Sequence, residues 1–404
     1  MPDLTLVRQM RRLDRRREAR ALALTVPAVL FLLVALILPL LSFMGRAADN
    51  SELNKLMPRT IAALALWQGE GYAPEPVREA LIGDLLALRG TPSLAIVARR
   101  LNYHEAGYRS LIQKTATTLS PESAKTAAEQ LAEIDPRWEA PDIWSVLKQE
   151  SGRFTPFFLL SALDLKRDAQ GHVVPVPAER AIYQKVFVRT FVASIAVTAI
   201  CLVLGYVAAY ALVRLPSRLG KIAIFIVLIS VWTSLLVRTL AWIVILQKNG
   251  VLNAALTGAG IVDEPLQFIR TWFAVIVAMV HLLLPLMILP IASVMQAISP
   301  SYVRAARSLG ASPIRAFWTV YLPQTLPGVG AGAVLVATLA LGFFITPELL
   351  GGPEQQMISY FVAFFTNMSV NWGLASALGA WLFVMTIALV ACTYGMFNIM
   401  RGRR

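Results

Sequence analysis

The chain has 404 residues, 57% of them apolar and only 15% charged, against roughly 25% charged in a typical soluble protein. Its 37 basic and 24 acidic residues give a formal net charge of +13, but residues 46–185 hold 17 of each sign, so the whole surplus (20 basic against 7 acidic) lies outside that block. Arginines gathered at the ends of apolar runs mark membrane orientation, and this placement excludes nucleic acid as the expected partner.

In chain order, residues 1–20 form a basic tail with seven Arg, and 21–45 is a charge-free apolar run. That run exceeds the 7–15 residues of a signal-peptide core and has no A-x-A-like site after it, so it reads as an uncleaved anchor. About 20 apolar residues cross a bilayer, and on that measure spans are expected near 21–44, 187–213, 222–246, 271–295, 326–346 and 374–397. Asn371-Trp372-Gly373 divides the last long apolar stretch into a surface helix and the final span. Cys201 and Cys392 both fall in apolar segments and read as small buried hydrophobes, with no disulfide framework in the polar block. Lys and Arg collect in the N-terminal tail, the loop after span two, the loop after span four and the C-terminal tail, while the alternate short loops are neutral or acidic. By the positive-inside rule both termini then face the cytoplasm and the long 46–185 block lies outside.

That block is the size of a small domain and shows little strand-like alternation. Helices are expected over 76–86, from a Ser120-Pro121-Glu122-Ser123 start, over 143–149 with Asp142 as its cap, and over 157–163 after Thr155-Pro156. His104 and His172 have no second ligand at metal spacing and read as surface histidines. No metal, cofactor or catalytic residue is expected anywhere in the chain. It carries no phosphate-binding G-x-x-x-x-G-K-[ST] and no H-E-x-x-H.

The most informative stretch is 299–323. Ser299-Pro300 supplies an N-cap and a first-turn proline, a helix can run to Leu309, and Gly310 suits a left-handed stop. Ser312-Pro313 begins a second helix, which Leu322-Pro323 is expected to interrupt before span five. Arg304, Arg307 and Arg315 stand here with no acidic residue. Ala305-Ala306, Gly310, Val320 and Leu322-Pro323 fall at the spacing that resembles the signature loop of importer-type ABC transporter permeases. The family's leading Glu is here Arg304. The resemblance covers roughly 187–404. Two further stretches, 232–242 with 249–253 and 344–353, look like the spermidine and putrescine subgroup.

The resemblance implies an all-α membrane protein of the type I importer permease kind, with six transmembrane helices. A mostly helical extracytoplasmic insertion over 46–185 separates helices 1 and 2, and a five-helix core over 186–404 carries the cytoplasmic coupling loop 299–323. It implies a multi-pass protein of the bacterial inner membrane whose coupling helix (Arg304, Ala305, Ala306, Ser308 and Leu309, with Gly310 as the bend) sits on a cytoplasmic ABC ATPase dimer. Its other implied partners are a second permease chain, a solute-binding protein outside the membrane and the lipid bilayer. ATP hydrolysis would belong to the separate ATPase and transport to alternating access, with a polyamine favoured as the solute. Another small solute, amino-acid-derived or carboxylate, and a secondary carrier remain as alternatives. For the substrate pathway the candidates are Arg238, a charge inside a span, Trp232 and Trp242 as cation-binding aromatic faces, and Glu348 at the mouth of span five. His281, in span four, is expected to be hydrogen-bonded within the bundle.

Overall fold

The computed structural model describes the backbone of residues 4–402 except 70, 122, 123 and 169, and the side chains of 23 and 25–395 with the same exceptions. The arginines expected to orient the two tails, in 8–20 and 401–404, lie outside the described side chains. The chain divides into two compact units, Met1–Phe158 with Ala169–His172, and Leu159–Asp168 with Val173–Arg404.

In the first unit, α1 (Leu4–Gly45) carries the first apolar run. Seven short helices follow: α2 (Ser51–Leu56), α3 (Pro58–Leu66), α4 (Glu75–Leu88), α5 (Pro92–Asn102), α6 (Tyr108–Thr118), α7 (Ala127–Ile134) and α8 (Pro141–Gln149). Their core closes around Trp138 and Trp144, both fully buried. Each indole N–H is satisfied, Trp138 donating to Thr115 Oγ1 at 2.9 Å and Trp144 to the Trp138 carbonyl at 2.9 Å, as buried aromatics with a polar edge require. Two expected helix starts move. Helix α7 begins at Ala127 behind a reciprocal Thr126–Glu129 capping box, which satisfies two orphan N–H groups at once. A cap at Ser120 had been expected instead, in a stretch of which residues 122 and 123 lie outside the described ones. Helix α8 starts at Pro141 behind Ala140, so Asp142 occupies its first turn rather than capping it.

His104, expected at the surface, is instead buried. Its Nε2 lies 3.1 Å from Glu150 Oε1, and Arg100 Nη2 donates to Glu150 Oε2 at 2.5 Å. The His104 ring stacks on Phe157 at 3.9 Å between centroids. A buried carboxylate must be paired, and Arg100 and His104 together do so, which draws the histidine inward. Burial pushes His104 below its ordinary pKa. Desolvation alone would raise Glu150, but His104 and Arg100 outweigh it and hold the carboxyl below its usual range.

Next in the chain come α9 (Phe157–Ser161) and, within the second unit, a two-stranded antiparallel ribbon, β1 (Leu165–Arg167) with β2 (Val173–Pro175), pairing Lys166 with Val174. Asp164 then accepts from the backbone N–H groups of Ile182, Tyr183 and Gln184. These are orphan donors at the start of the first long helix of the second unit.

The second unit holds α10 (Tyr183–Arg214), α11 (Ser217–Trp232), α12 (Leu235–Leu246), α13 (Val251–Gly258), α14 (Trp272–Ala297), α15 (Pro300–Ser308), α16 (Pro313–Ala316), α17 (Leu322–Gly342), α18 (Ile345–Leu350), α19 (Ile358–Asn367) and α20 (Trp372–Gly402). Six stretches among the described residues are long and apolar enough to span a bilayer, in the places expected for five of them. Helix α14 is the hub, with 61% of its apolar stretch buried against 28% in α10 and 44% in Pro313–Gly342. Lipid tails give no hydrophobic push between helices, so close approach rests on small residues. A Cβ on Gly205 of α10 would meet Met287 Cγ at 2.8 Å, and one on Gly332 of α17 would meet Met287 Sδ at 2.9 Å. Gly328, one turn from Gly332, would strike the Pro290 carbonyl at 2.8 Å.

Three boundaries differ from expectation. Span three is not one helix over 222–246. Thr233 and Ser234 are extended between α11 and α12, and Thr233 Oγ1 turns back to the Ser230 carbonyl at 2.8 Å, a local bond that competes with helix continuation. The span-length apolar stretch is Leu235–Gly258, crossed by a turn at Gly250 where a Cβ would lie 2.5 Å from the Ile245 carbonyl. Leu322-Pro323 does not interrupt span five. Residues Phe317–Tyr321 form a π turn in which Leu322 N–H reaches the Phe317 carbonyl five residues back. The wider turn makes room for a proline ring that would clash with an α-helical carbonyl. The same helix then ends at Gly342 rather than 346, because Phe343 is extended. Pro347 is placed inside the first turn of α18, where no donor is needed. Of the two cysteines, Cys201 is buried as expected but Cys392 is exposed, on the outer side of a terminal helix rather than within the bundle.

The buried histidine makes the first unit acid-sensitive. A neutral His104 in the fold, with its pKa held below the unfolded value of about 6.5, contributes stability that is complete above that value. The contribution is lost as pH falls below it, because the unfolded chain takes up the proton first. Hydrogen-exchange protection of 97–112 in the full chain, taken relative to the intrinsic exchange rate at each pH, should fall between pH 7 and pH 5, and His104→Phe should flatten that dependence; an unchanged slope in the variant would remove His104 as the cause.

Candidate functional site

Two clusters in the second unit carry the residues singled out from the sequence. The first is the bent element around α15. Ser299 Oγ accepts from Ser301 N–H at 3.3 Å and Pro300 fills the first helical position. At the other end Gly310 takes φ +90°. Gly310 N–H bonds the Arg307 carbonyl at 3.0 Å and Ala311 N–H the Ala306 carbonyl at 3.1 Å, the paired pattern that closes a helix through a left-handed residue. Ser312 then caps α16 by accepting from Arg315 N–H at 3.3 Å. The result is a short helix fixed at both ends with no residue of its own buried. Arg304, Ala305, Ser308 and Leu309 are exposed, Ala306 is half-buried, and Leu309 is 89% exposed. Tyr302, Ile314 and Trp318 add exposed apolar surface beside Arg304, Arg307 and Arg315.

This element is wired to the spans by aromatic residues that the sequence reading passed over. Phe317 and Tyr321, one turn apart across the π turn, stack at 5.8 Å, and Tyr210 of α10 meets both edge-on at 5.7 Å. The Arg214 guanidinium lies 3.9 Å over the Tyr210 ring, an attraction of cation for ring face. Tyr206 OH and Thr325 Oγ1 are 3.2 Å apart. Residues 317–321 are thus tied to both α10 and α17. The legible signal was the pairing of aromatics four apart in two segments, 206/210 and 317/321.

The second cluster gathers some pathway candidates and leaves others apart. Arg238 and Trp242 stand one turn apart on α12. Trp242 Nε1 donates to His281 Nδ1 of α14 at 3.2 Å, which gives His281 the bonded place expected for it. Yet His281 is exposed, midway along the most buried helix. Arg238 Nε and Nη1 are buried without a hydrogen-bond partner among the described residues. Thr239 and Thr346 hydroxyls meet at 3.2 Å, tying α12 to α18, on which Glu348 is exposed two residues further on. Trp232, 81% exposed at the end of α11, is not joined to this cluster. No group of three or more His, Cys, Asp or Glu among the described residues could hold a metal ion.

Residues 201–403 match the family described as binding-protein-dependent transport system inner membrane component. The chain belongs to this family and is an ABC importer permease. The permease is 35% identical over 207 residues to the spermidine/putrescine transport system permease protein PotB of Haemophilus influenzae, a match covering 51% of this chain and 72% of that protein. It is 34% identical to PotB of Escherichia coli over 177 residues, 44% of this chain and 64% of that one. A crystal structure of a bacterial alginate ABC transporter in complex with an alginate pentasaccharide-bound periplasmic protein aligns over 54% of the permease and 79% of that chain at 18% identity, with a TM-score of 0.46. The family match and the six apolar stretches make the permease a multi-pass inner-membrane protein. The family match begins at Cys201, so the short helices α2–α8 precede it.

Each aromatic pair around Tyr210 adds about 0.5–1.5 kcal/mol beyond its buried area. Tyr210→Ala, which removes two such pairs and the ring under Arg214, should speed amide exchange across 313–325 at least tenfold with the chain still inserted. Unchanged exchange there would show that the rings do not hold the π turn.

Proposed function

We propose that this permease is one membrane half of an ATP-driven importer and that its solute is a small charged molecule, a polyamine first. The observation that carries the reading is the α15 element, doubly capped, exposed and tied through Tyr210 and Phe317 to two spans. A channel or a secondary carrier gives such an element no task, whereas a soluble motor needs a rigid knob to grip. Arg304, Ala305, Ala306, Ser308 and Leu309, with Gly310 as the bend, form that knob. A cytoplasmic ABC ATPase dimer closes on ATP, moves α15 and, through the π turn, tilts α17 and α10 against α14. Alternating access follows as rigid elements rock about a packed hub.

The same reading sets the remaining parts. Both termini and α15 face the cytoplasm, as the placement of Lys and Arg requires, and the 46–185 block is an extracytoplasmic insertion. A binding protein delivers solute to the outer mouth near Glu348, whose carboxylate attracts a cation. The exposed face of His281 and Trp242 lines half of the pathway, and a second permease chain, a relative rather than a copy, supplies the other half. Nothing in this chain is catalytic; hydrolysis takes place in the ATPase. Removing 304–309 should abolish uptake into vesicles while the protein inserts normally and ATP hydrolysis by the assembly continues. Uptake that survives with its usual ATP dependence would sink the coupling role.

A second reading of the solute is favoured by one feature, the guanidinium of Arg238 without an anionic partner among the described residues. Intramembrane cations face a partner or a cavity, and a solute carboxylate would supply one. Titrating the cognate binding protein with spermidine, putrescine and a carboxylate-bearing amine separates the two. Under the polyamine reading the carboxylated compound binds at least tenfold more weakly and Arg238→Gln leaves spermidine uptake within about twofold. The reverse ranking, with uptake lost in the variant, would replace the polyamine.

A further inference from the structure

The end of α10 nearest the ribbon borders a groove apart from the two clusters described above. It holds about 680 Å³ and is lined along α10 by Lys185, Val188, Arg189, Val192 and Ala196, with Trp272 and Ile276 of α14 opposite. Positions 185, 188/189, 192 and 196 recur at helical spacing, so they form one continuous stripe. The stripe is graded. Its first turns carry both cations, and everything beyond Arg189 is apolar. From Lys185 to Ala196 the helix rises about 16 Å, close to half of a hydrocarbon core of about 30 Å, the depth of a single leaflet.

The basic end is open to an anion. Lys185 is exposed. Arg189 spends Nη1 on the Glu354 carbonyl at 2.6 Å, while its Nε is buried without a hydrogen-bond partner among the described residues. Two acids lie near, and neither fills the need. Asp164 is engaged by the three N–H groups that begin α10, and Glu354 accepts from Arg189 through its backbone oxygen while its carboxylate acts on the guanidinium only at longer range, without a salt bridge. The groove also lies largely ahead of the family match, which begins at Cys201.

We propose that this groove seats one phospholipid with an anionic headgroup, in the leaflet on the side of the 46–185 block. The phosphate and its negatively charged head lie against Lys185 and Arg189, beside the Trp272 indole at the interface. One acyl chain runs down the stripe past Val192 to Ala196 and Ile276. Long cationic side chains at span ends reach the headgroup level in this way. Bound there, the lipid bridges α10 and α14. The inference rests on the membrane-spanning reading alone, so its failure leaves the transport reading intact.

The test is native mass spectrometry of the permease, purified in the assembly it forms in its own membrane, with phosphatidylglycerol and phosphatidylcholine of identical acyl chains. One phosphatidylglycerol should survive activation that strips phosphatidylcholine. Lys185→Gln with Arg189→Gln should lower its retention about tenfold, to the phosphatidylcholine level. Ala196→Phe, which fills the deep end and leaves both cations in place, should lower retention of both lipids and decides the matter should the double variant fail to insert. Equal retention by wild type and Ala196→Phe would overturn the proposal. So would displacement of the lipid by inorganic phosphate alone, which would mark a site for a free anion. A photocrosslinker at Val192 that captures another polypeptide instead of lipid would assign the groove to a protein neighbour and overturn it equally.

Discussion

Close approach to α14 is the constraint on which the membrane unit depends. Met287 is clasped from two sides, by Gly205 of α10 and Gly332 of α17, each with its missing Cβ under 3 Å from the methionine side chain. In hydrocarbon the gain comes from dispersion and from backbones brought near each other, so a methyl group at either glycine would hold the helices apart. Methionine suits the centre because its unbranched, polarizable chain fills an irregular gap. A hub of this kind permits small rotations of α10 and α17 about α14 while resisting separation.

Polar groups are then arranged so that bending is confined to chosen places. The backbone of a membrane helix cannot leave its donors unsatisfied. Where this chain departs from α-helix, a side chain or a wider turn takes up the loss. Thr233 returns to a carbonyl at the break between α11 and α12, Asn253 bonds the Gln247 and Leu266 carbonyls across the turn that follows, and the π turn at 317–321 absorbs Pro323. That last departure lies between the exposed α15 and the packed part of α17, which makes it a hinge whose position is fixed by aromatic contacts on α10. Helix α15 itself is rigid for the opposite reason, since its N-terminus and C-terminus both have their orphan groups satisfied locally.

Much of this was legible before any coordinates. Apolar length placed five of the six spans, and the left-handed Gly310 and the Ser299 and Ser312 caps were readable because each depends on a few adjacent residues. What escaped depends on partners distant in sequence. The burial of His104 is set by Glu150 and Phe157, some fifty residues away, so spacing could not reveal it. The uninterrupted run through Leu322-Pro323 depends on a five-residue hydrogen bond that composition does not announce. The break at Thr233 was hidden by uniform hydropathy, which counts residues without asking whether their side chains prefer a local bond. The Tyr210–Phe317–Tyr321 contact joins segments more than a hundred residues apart, and the sequence shows only that each holds aromatics one turn apart.

The two clusters hold their charges in different surroundings. Arg304, Arg307 and Arg315 are exposed on a capped element, where water solvates them at little cost and a partner surface can displace that water. Arg238 is different, since two of its donors are buried inside the unit with nothing among the described residues to accept them, and leaving a buried charged donor unsatisfied costs more than the roughly 1–3 kcal/mol of a neutral group. Such a cost is tolerated only where an assembled state or a bound solute removes it. Under the transport reading proposed above, Arg238, Trp242 and the exposed edge of His281 would belong to a surface completed by a partner chain or a solute.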